Sequence, residues 1–332
     1  PLMVGAIIAG IVFLPESRVT SPGRWDALAA LLSFIGMILL VWAIKQFGKA
    51  ASFVVPEAWI AVAIATLALT WFVIRCVRSD APLLDLRLFR SRPFSAGIIA
   101  AFGTTFSMIA ALLLVAQWLQ LVDGATPIEA GIRMMPLAIT GAIASMLAPA
   151  VSRSIGARAV LAGGLGLAAI GMLYLGVAGS DLNLAGVIIA TSLIGAGTGS
   201  LAIASAMIMA GSPVEKAGNA GALEETSYEF GATLGVAILG SISALIYRFQ
   251  LAVDPALRGI DNGLLAGAKE SLGAAVALGE QAGAPELIER ASAAFVSSLQ
   301  AAGFAGGLFM LAVAVLVFVL VPKGTDVEGV EH

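Results

Sequence analysis

Residues 217–246 read AGNAGALEETSYEFGATLGVAILGSISALI, a mostly apolar stretch that carries three glutamates near its start. An apolar run of about 20 residues is long enough to cross a bilayer as a helix. Placing an acid at bilayer depth costs about 2.5–3.5 kcal/mol on insertion scales, so such residues usually face a bundle interior or an aqueous path. The stretch therefore predicts a membrane helix whose acids, Glu224, Glu225 and Glu229, mark a functional site.

The whole chain has the composition of a membrane protein. Of its 332 residues, 59% are hydrophobic and 12% are charged, whereas soluble domains carry about 25% charged residues. Its apolar runs predict an all-α, polytopic membrane fold with nine segments, the first of them incomplete. The segments are expected at 2–14, 27–47, 57–77, 95–121, 131–151, 158–178, 183–209, 219–247 and 297–321.

Two residue types that often carry chemistry are scarce in this chain. Cys76 is the only cysteine, which rules out an intrachain disulfide, and His332 is the only histidine. This disfavours His-based catalysis and most zinc sites. No Cys/His pair, metal-ligand cluster, Ser-based constellation or GxxxxGK[ST] nucleotide loop stands out in the sequence. We therefore expect a protein that is not an enzyme and that uses neither a cofactor nor ATP.

Lys and Arg are unevenly distributed between alternate loops. The richer side carries Arg18, Arg24, Arg75, Arg78, Arg87, Arg90, Arg92, Arg153, Arg158, Lys216 and Lys323. The opposite short loops hold only Lys45, Lys49 and Arg133 near their ends. Cytoplasmic loops are enriched in Lys and Arg, so the richer side and the C-terminus are predicted to be cytoplasmic.

Two connections have a distinctive composition. Residues 82–92 interleave apolar and basic positions, which favours a short helix lying in the cytoplasmic interface, with an ordinary basic loop as the alternative. Residues 248–295 are rich in Ala, Gly and Glu, and this stretch is expected to be a partly helical loop on the outside. A long outside loop tolerates the basic residues that it contains.

The three glutamates are the main candidates for function. Glu225 and Glu229 are spaced i,i+4 and share one helix face, whereas Glu224 points about 100° away. Two carboxylates on one face repel each other when both are ionised, so one of them should hold its proton toward neutral pH and the pair should titrate as a unit. Such a pair suits proton exchange or the binding of an organic cation. The alternative is that the acids form a hydrated, purely structural helix end.

Glycines, aromatic residues and polar residues give further candidates. Gly231 and Gly235 form a GxxxG pattern, for which close helix packing is the favoured role. The run at 95–121 combines aromatic, polar and Met side chains that suit lipophilic cations, although core packing is the alternative. The possible substrate contacts are Phe106, Met108, Gln117 and, beside the acids, Tyr228.

Several motifs resemble those of the fourteen-helix drug:proton antiporters of the major facilitator superfamily. They are LPES at 14–17, GRWD at 23–26, PLLDLRLFR at 82–90, TPIEAGIRMMP at 126–136 and GNAGALEETSYEFG at 218–231. The last motif is similar to the quaternary-ammonium exporters of that family, in which acids of the thirteenth helix bear on cation recognition and proton coupling. The resemblance covers nearly the whole chain.

The resemblance implies how the chain is divided. Residues 1–14 match the end of the sixth helix, residues 15–80 match two extra linker helices, and residues 81–332 match the C-terminal six-helix bundle with an outside loop at 248–295. We therefore expect the chain to be truncated at its N-terminus, with the N-terminal bundle missing. Some relatives hold an acid in the tenth helix, but the run at 131–151 contains none.

The resemblance also implies an activity, which is proton-coupled export of lipophilic or quaternary ammonium cations across the bacterial inner membrane. The proton gradient would drive it, with the cations, the protons, the lipid bilayer and the missing bundle as partners and no role for nucleic acid. Glu225 and Glu229 would be the exchanging pair, with Glu224 in support. The alternative is a membrane remnant or scaffold that does not transport.

Overall fold

The computed structural model describes residues 26–50, 54–79, 82–178 and 182–322, together with the helical positions Met3, Gly5 and Gly10. Within these residues the secondary structure is helical and contains no strand. Apart from those three positions, the segment predicted at 2–14 lies outside the described residues. Arg18, Arg24 and Lys323 lie outside them as well.

The described residues form a series of α-helices, most of them long and apolar. They are α1 (Ala27–Ala50), α2 (Pro56–Arg78), α3 (Arg92–Gln117), α4 (Pro127–Ile155), α5 (Ala157–Val177), α6 (Leu184–Thr198), α7 (Leu201–Ala210), α8 (Ala217–Val253), α9 (Asn262–Ala268), α10 (Leu272–Ala282) and α11 (Pro285–Leu320). Eight stretches of the described residues are long and apolar enough to cross a membrane, with α6 and α7 counted as one. These stretches confirm the eight complete segments that the apolar runs predict.

The helices from α3 onward pack into one bundle. The α5 helix lies along α11, α3 lies along α8, and α4 and α6 pack against each other. The largest buried cluster joins residues of α3, α5, α6, α8 and α11, among them Leu114, Leu175, Ile194 and Phe295. The α1 and α2 helices pack as a pair, and α1 also lies against α8. This contact sets the surroundings of the acidic residues of α8.

Local sequence signals explain where several helices begin and break. The α4 helix starts with a capping box, in which the Thr126 side chain accepts a hydrogen bond from the Glu129 amide and the Glu129 carboxylate accepts one from the Thr126 amide. Between α6 and α7 the chain turns at Gly199 and Ser200. Of the glycines in the run at 183–209, Gly199 lies at the break, whereas Gly195 and Gly197 lie inside α6.

Both connections contain helix, as the sequence predicts, but their extents differ from the prediction. Within 82–92 the structure has a 3₁₀ helix of five residues, Leu86–Arg90, which is shorter than the helix expected there. Its Leu88 is buried against Phe94 and Leu223 of the bundle. The α8 helix continues to Val253 and α11 begins at Pro285, so the connection is shorter than the predicted loop at 248–295. It contains α9 and α10, whose apolar residues join the main core.

Candidate functional site

The α8 helix carries the acids in its first turns. It is 37 residues long, which corresponds to about 55 Å at 1.5 Å per residue and exceeds the roughly 30 Å of a hydrocarbon core. Glu225 and Glu229 follow the first residue of α8 by about 12 and 18 Å along the axis. The acids therefore lie nearer the end of the helix that follows Lys216 than its centre.

Glu224 and Glu225 have different surroundings although they are neighbours in sequence. The Glu224 side chain is buried, with 8% of its surface exposed, and the Tyr228 hydroxyl donates a hydrogen bond of 2.9 Å to its Oε1 atom. Glu225 and Glu229 are both exposed. A buried carboxylate needs a polar partner because its desolvation is otherwise costly. Tyr228, one turn further along α8, provides that partner on the inner face of the helix.

Glu225 and Glu229 border a cavity of about 550 Å³ between α8 and the α1–α2 pair. Its remaining walls are mainly apolar, and three phenylalanines contribute to them. The lining residues are Ala30, Ser33, Phe34, Met37, Phe72, Leu83, Leu84, Ala222, Glu225, Thr226, Glu229 and Phe230. The cavity thus combines two carboxylates with aromatic and thioether surfaces.

This combination has a definite binding chemistry. Two carboxylates on one helix face attract a cation. Aromatic faces attract cations through their quadrupole, and a Met side chain adapts to apolar shapes. A cavity of this size is within the range found for small-molecule sites. The size and lining of the cavity therefore suit a lipophilic cation.

The other predicted contacts lie elsewhere. The described residues that line this cavity do not include the four predicted contacts Tyr228, Phe106, Met108 and Gln117. Phe106 is buried where α3 meets α8 and α11, and its ring centroid lies 4.3 Å from that of Phe309. Met108 packs against the main core. Gln117 is the last residue of α3 and is followed by a π-helical turn, Trp118–Val122.

Sequence reasoning missed the wall that faces the two carboxylates. Phe34 and Met37 of α1 and Phe72 of α2 are far from the acids in the chain and belong to ordinary apolar runs. Their 3.6-residue periodicity predicts a helix but not its neighbour. Leu83 and Leu84 belong to the PLLDLRLFR motif, which predicted an interfacial helix and a family resemblance but not a cavity wall.

The architecture defines the protein as a multi-pass membrane protein with an acidic cavity beside one helix. The chain is similar to several multidrug and antibiotic export proteins. Three of them are the multidrug efflux pump LfrA of Mycolicibacterium smegmatis, the methyl viologen resistance protein SmvA of Salmonella typhimurium and the tetracenomycin C resistance and export protein of Streptomyces glaucescens. No protein-family model matches the chain.

The similarity extends over most of this chain but only part of each relative. LfrA is 32% identical over 321 residues, which are 96% of this chain and 63% of LfrA. SmvA is 30% identical over 86% of this chain and 58% of its own length, and the tetracenomycin C protein is 29% identical over 74% and 46%. The chain belongs to the drug:proton antiporter family of the major facilitator superfamily.

Proposed function

We propose that this chain is part of a proton-coupled exporter of lipophilic or quaternary ammonium cations in the bacterial inner membrane. The observation that carries the proposal is the cavity in which Glu225 and Glu229 oppose aromatic and Met side chains. The names of LfrA and SmvA, which describe multidrug efflux and methyl viologen resistance, support it. Methyl viologen is itself an organic dication.

In the proposed cycle, Glu225 and Glu229 exchange protons for a cation. A bound cation stabilises both carboxylates in the ionised form, so its arrival favours proton release and its departure favours proton uptake. Glu224 supports the pair from the inner face, where Tyr228 holds its carboxylate. Proton release on one side of the membrane and uptake on the other then couple export to the proton gradient.

The complete transport cycle needs more than one bundle. The chain spans about three fifths of the length of LfrA and SmvA, and alternating access in such transporters relies on two bundles that rock about a central site. The proposal therefore assigns residues 81–332 to a C-terminal bundle and residues 15–80 to linker helices, and pairs them with an N-terminal bundle that includes residues 1–14. Expressed alone, the chain should bind cations without conferring drug resistance.

Replacing each glutamate by glutamine tests the exchanging pair. Ethidium and propidium share one ring system but carry one and two positive charges. Glu225→Gln and Glu229→Gln should each weaken propidium binding by about tenfold or more, and ethidium binding less, because a dication uses both carboxylates. Glu224→Gln should have a smaller effect on both dyes. Binding is measured by fluorescence titration of the purified chain, and export is measured with the complete gene product.

Proton exchange has its own readout. Propidium binding to the unaltered chain in weakly buffered solution should release protons, and each single Gln variant at the pair should release fewer. Glu215→Gln serves as the matched control, because Glu215 is exposed in the short turn before α8. Equal, mild effects from all three glutamate variants, without a change in proton release, would mean that the acids are only a hydrated helix end.

A further inference from the structure

One wall of the acidic cavity comes from the α1–α2 pair, outside the six-helix bundle. Ala30, Ser33, Phe34 and Met37 recur on one face of α1 at helical spacing, and all four line the cavity. The Phe34 side chain is 65% exposed, so its ring is accessible from the cavity. Phe72 of α2 closes the wall from behind and is buried.

The α1 helix contacts α8 near its C-terminal end and α2 near its start, and these contacts define the position of the wall. At one end, Arg248 of α8 donates a hydrogen bond of 2.8 Å to the Lys49 carbonyl. Near the same end, a Cβ atom on Gly48 would come within 2.5 Å of the Ser241 side chain, which shows how close the two helices are. At the other end, Arg75 of α2 pairs with Asp26 at 2.6 Å, just before α1 begins.

The chemistry of the two walls is complementary. The α8 wall presents the Glu225 and Glu229 carboxylates, and the α1 wall presents the Phe34 ring and the Met37 thioether. A planar aromatic cation between them can place its charge at the acids and its ring face against Phe34. A cation without an aromatic surface would still bind the two carboxylates, but the α1 wall would contribute less to its binding free energy.

We propose that α1 is a specificity-determining element of the export site, in which Phe34 and Met37 bind the ring system of planar aromatic cations. This inference rests on the proposed function of Glu225 and Glu229. It assigns to a linker helix a direct part in substrate recognition, in addition to connecting two bundles. The surfaces that select the ring system and the charge then belong to different helices.

Phe34→Leu tests the inference, because it keeps an apolar side chain and removes the aromatic face. Ethidium binding to the purified chain should weaken by about fivefold or more. Binding of tetrabutylammonium, measured by displacement of ethidium, should weaken less. Leu31→Ala and Ile38→Ala are matched controls, since both residues are exposed on α1 and do not line the cavity. These two variants should leave both affinities within about twofold.

A second readout does not depend on Phe34. Ser33→Cys places a thiol in the cavity wall, and a cationic methanethiosulfonate reagent should modify it more slowly when ethidium is bound. Ile38→Cys is the control, whose modification rate ethidium should not change. The native Cys76 is buried, with 1% of its surface exposed, and contributes little background.

The outcomes separate this inference from the proposed function. Unchanged ethidium binding in Phe34→Leu together with unprotected Ser33→Cys would overturn the role of α1. If Glu225→Gln nevertheless weakened binding, the proposed function would stand without the linker wall. If the variants of Glu225 and Glu229 also left binding unchanged, the proposed function and this inference would both fail.

Discussion

Asp85 is a buried carboxylate that joins two loops at one end of the bundle. Its side chain lies 2.6 Å from the Lys216 ammonium, and its backbone amide donates a hydrogen bond of 3.0 Å to the Asn219 side chain. Burial alone would raise the pKa of the Asp85 carboxyl, but hydrogen bonds from Lys216 and the Arg87 amide outweigh burial and hold the pKa below its usual range. The ionised form of Asp85 therefore stabilises the folded state.

Asp85→Asn should lower the free energy of unfolding by about 1–3 kcal/mol, because it removes a charge-assisted bond to Lys216 from a buried position. The contribution of a carboxyl with a lowered folded pKa is present above its ordinary pKa of about 4 and is lost as the pH falls through the folded value. The stability difference from the unaltered chain should therefore narrow below about pH 4. Denaturant unfolding of the purified chain in detergent from pH 3 to 7 measures this.

The exposed Glu215, in the turn that contains Lys216, provides the control for Asp85. Glu215→Gln should change stability by less than about 0.5 kcal/mol at any pH in that range. A difference between Asp85→Asn and the unaltered chain that stayed constant down to pH 3 would contradict the assignment to the carboxylate charge.

The acids of α8 show what the sequence can and cannot predict at this scale. Helical geometry alone separates Glu224 from the face shared by Glu225 and Glu229, and in the structure the former is buried while the other two are exposed. The aromatic wall opposite them could not be predicted, because periodicity within one segment carries no information about which segment packs beside it. Phe34 looks like any other lipid-facing residue of an apolar run.

At the scale of elements, the GxxxG pattern of α8 determines how closely it approaches α3. A Cβ atom on Gly231 would overlap Thr105 and the Phe102 carbonyl, and one on Gly235 would overlap the Phe106 carbonyl. Helices in membranes associate through such close contacts because lipid gives them no hydrophobic driving force. Packing was the favoured role for these glycines, and the contacts agree with it.

Gly235→Ala should destabilise the bundle by about 1–3 kcal/mol, because the added methyl group forces the two backbones apart. Gly240→Ala in the same helix is the matched control, since a Cβ atom there meets nothing within 4 Å. That variant should be neutral or more stable by up to about 1 kcal/mol, through the higher helix propensity of alanine. Thermal unfolding in detergent compares the two, and similar shifts would argue against a tight α3–α8 contact.

Segment lengths and the presence of helix in the two connections were predictable, whereas the packing of those connections against the bundle was not. An apolar run directly reports the span that a helix needs, which is why α1 to α5 appear close to their predicted positions. The short 3₁₀ helix at Leu86–Arg90 depends on Asp85, whose side chain accepts a hydrogen bond from the Arg87 amide. The α9 and α10 helices bury apolar residues against the bundle, a tertiary effect that composition alone does not reveal.

In the whole molecule, side-chain contacts between segments that are distant in the chain show which helix ends lie on the same side of the bundle. Two ion pairs, Asp85–Lys216 and Asp26–Arg75, connect helix ends on the Arg-rich side. Arg248 with Lys49 joins ends that belong to the opposite side. This relative arrangement agrees with helices that alternate in direction. Which set faces the cytoplasm remains a prediction from the distribution of Lys and Arg.

Thiol labelling in intact cells tests the absolute orientation. Gln281→Cys lies in α10, in the connection between α8 and α11, and Glu215→Cys lies in the turn before α8; both native residues are exposed. Because the Arg-rich side is predicted to be cytoplasmic, a membrane-impermeant maleimide should label Gln281→Cys from outside and Glu215→Cys only after permeabilisation. The unaltered chain, with its buried Cys76, is the background control. The reverse pattern would invert the topology and place the acids of α8 near the outer face, where they could not collect cations from the cytoplasmic side.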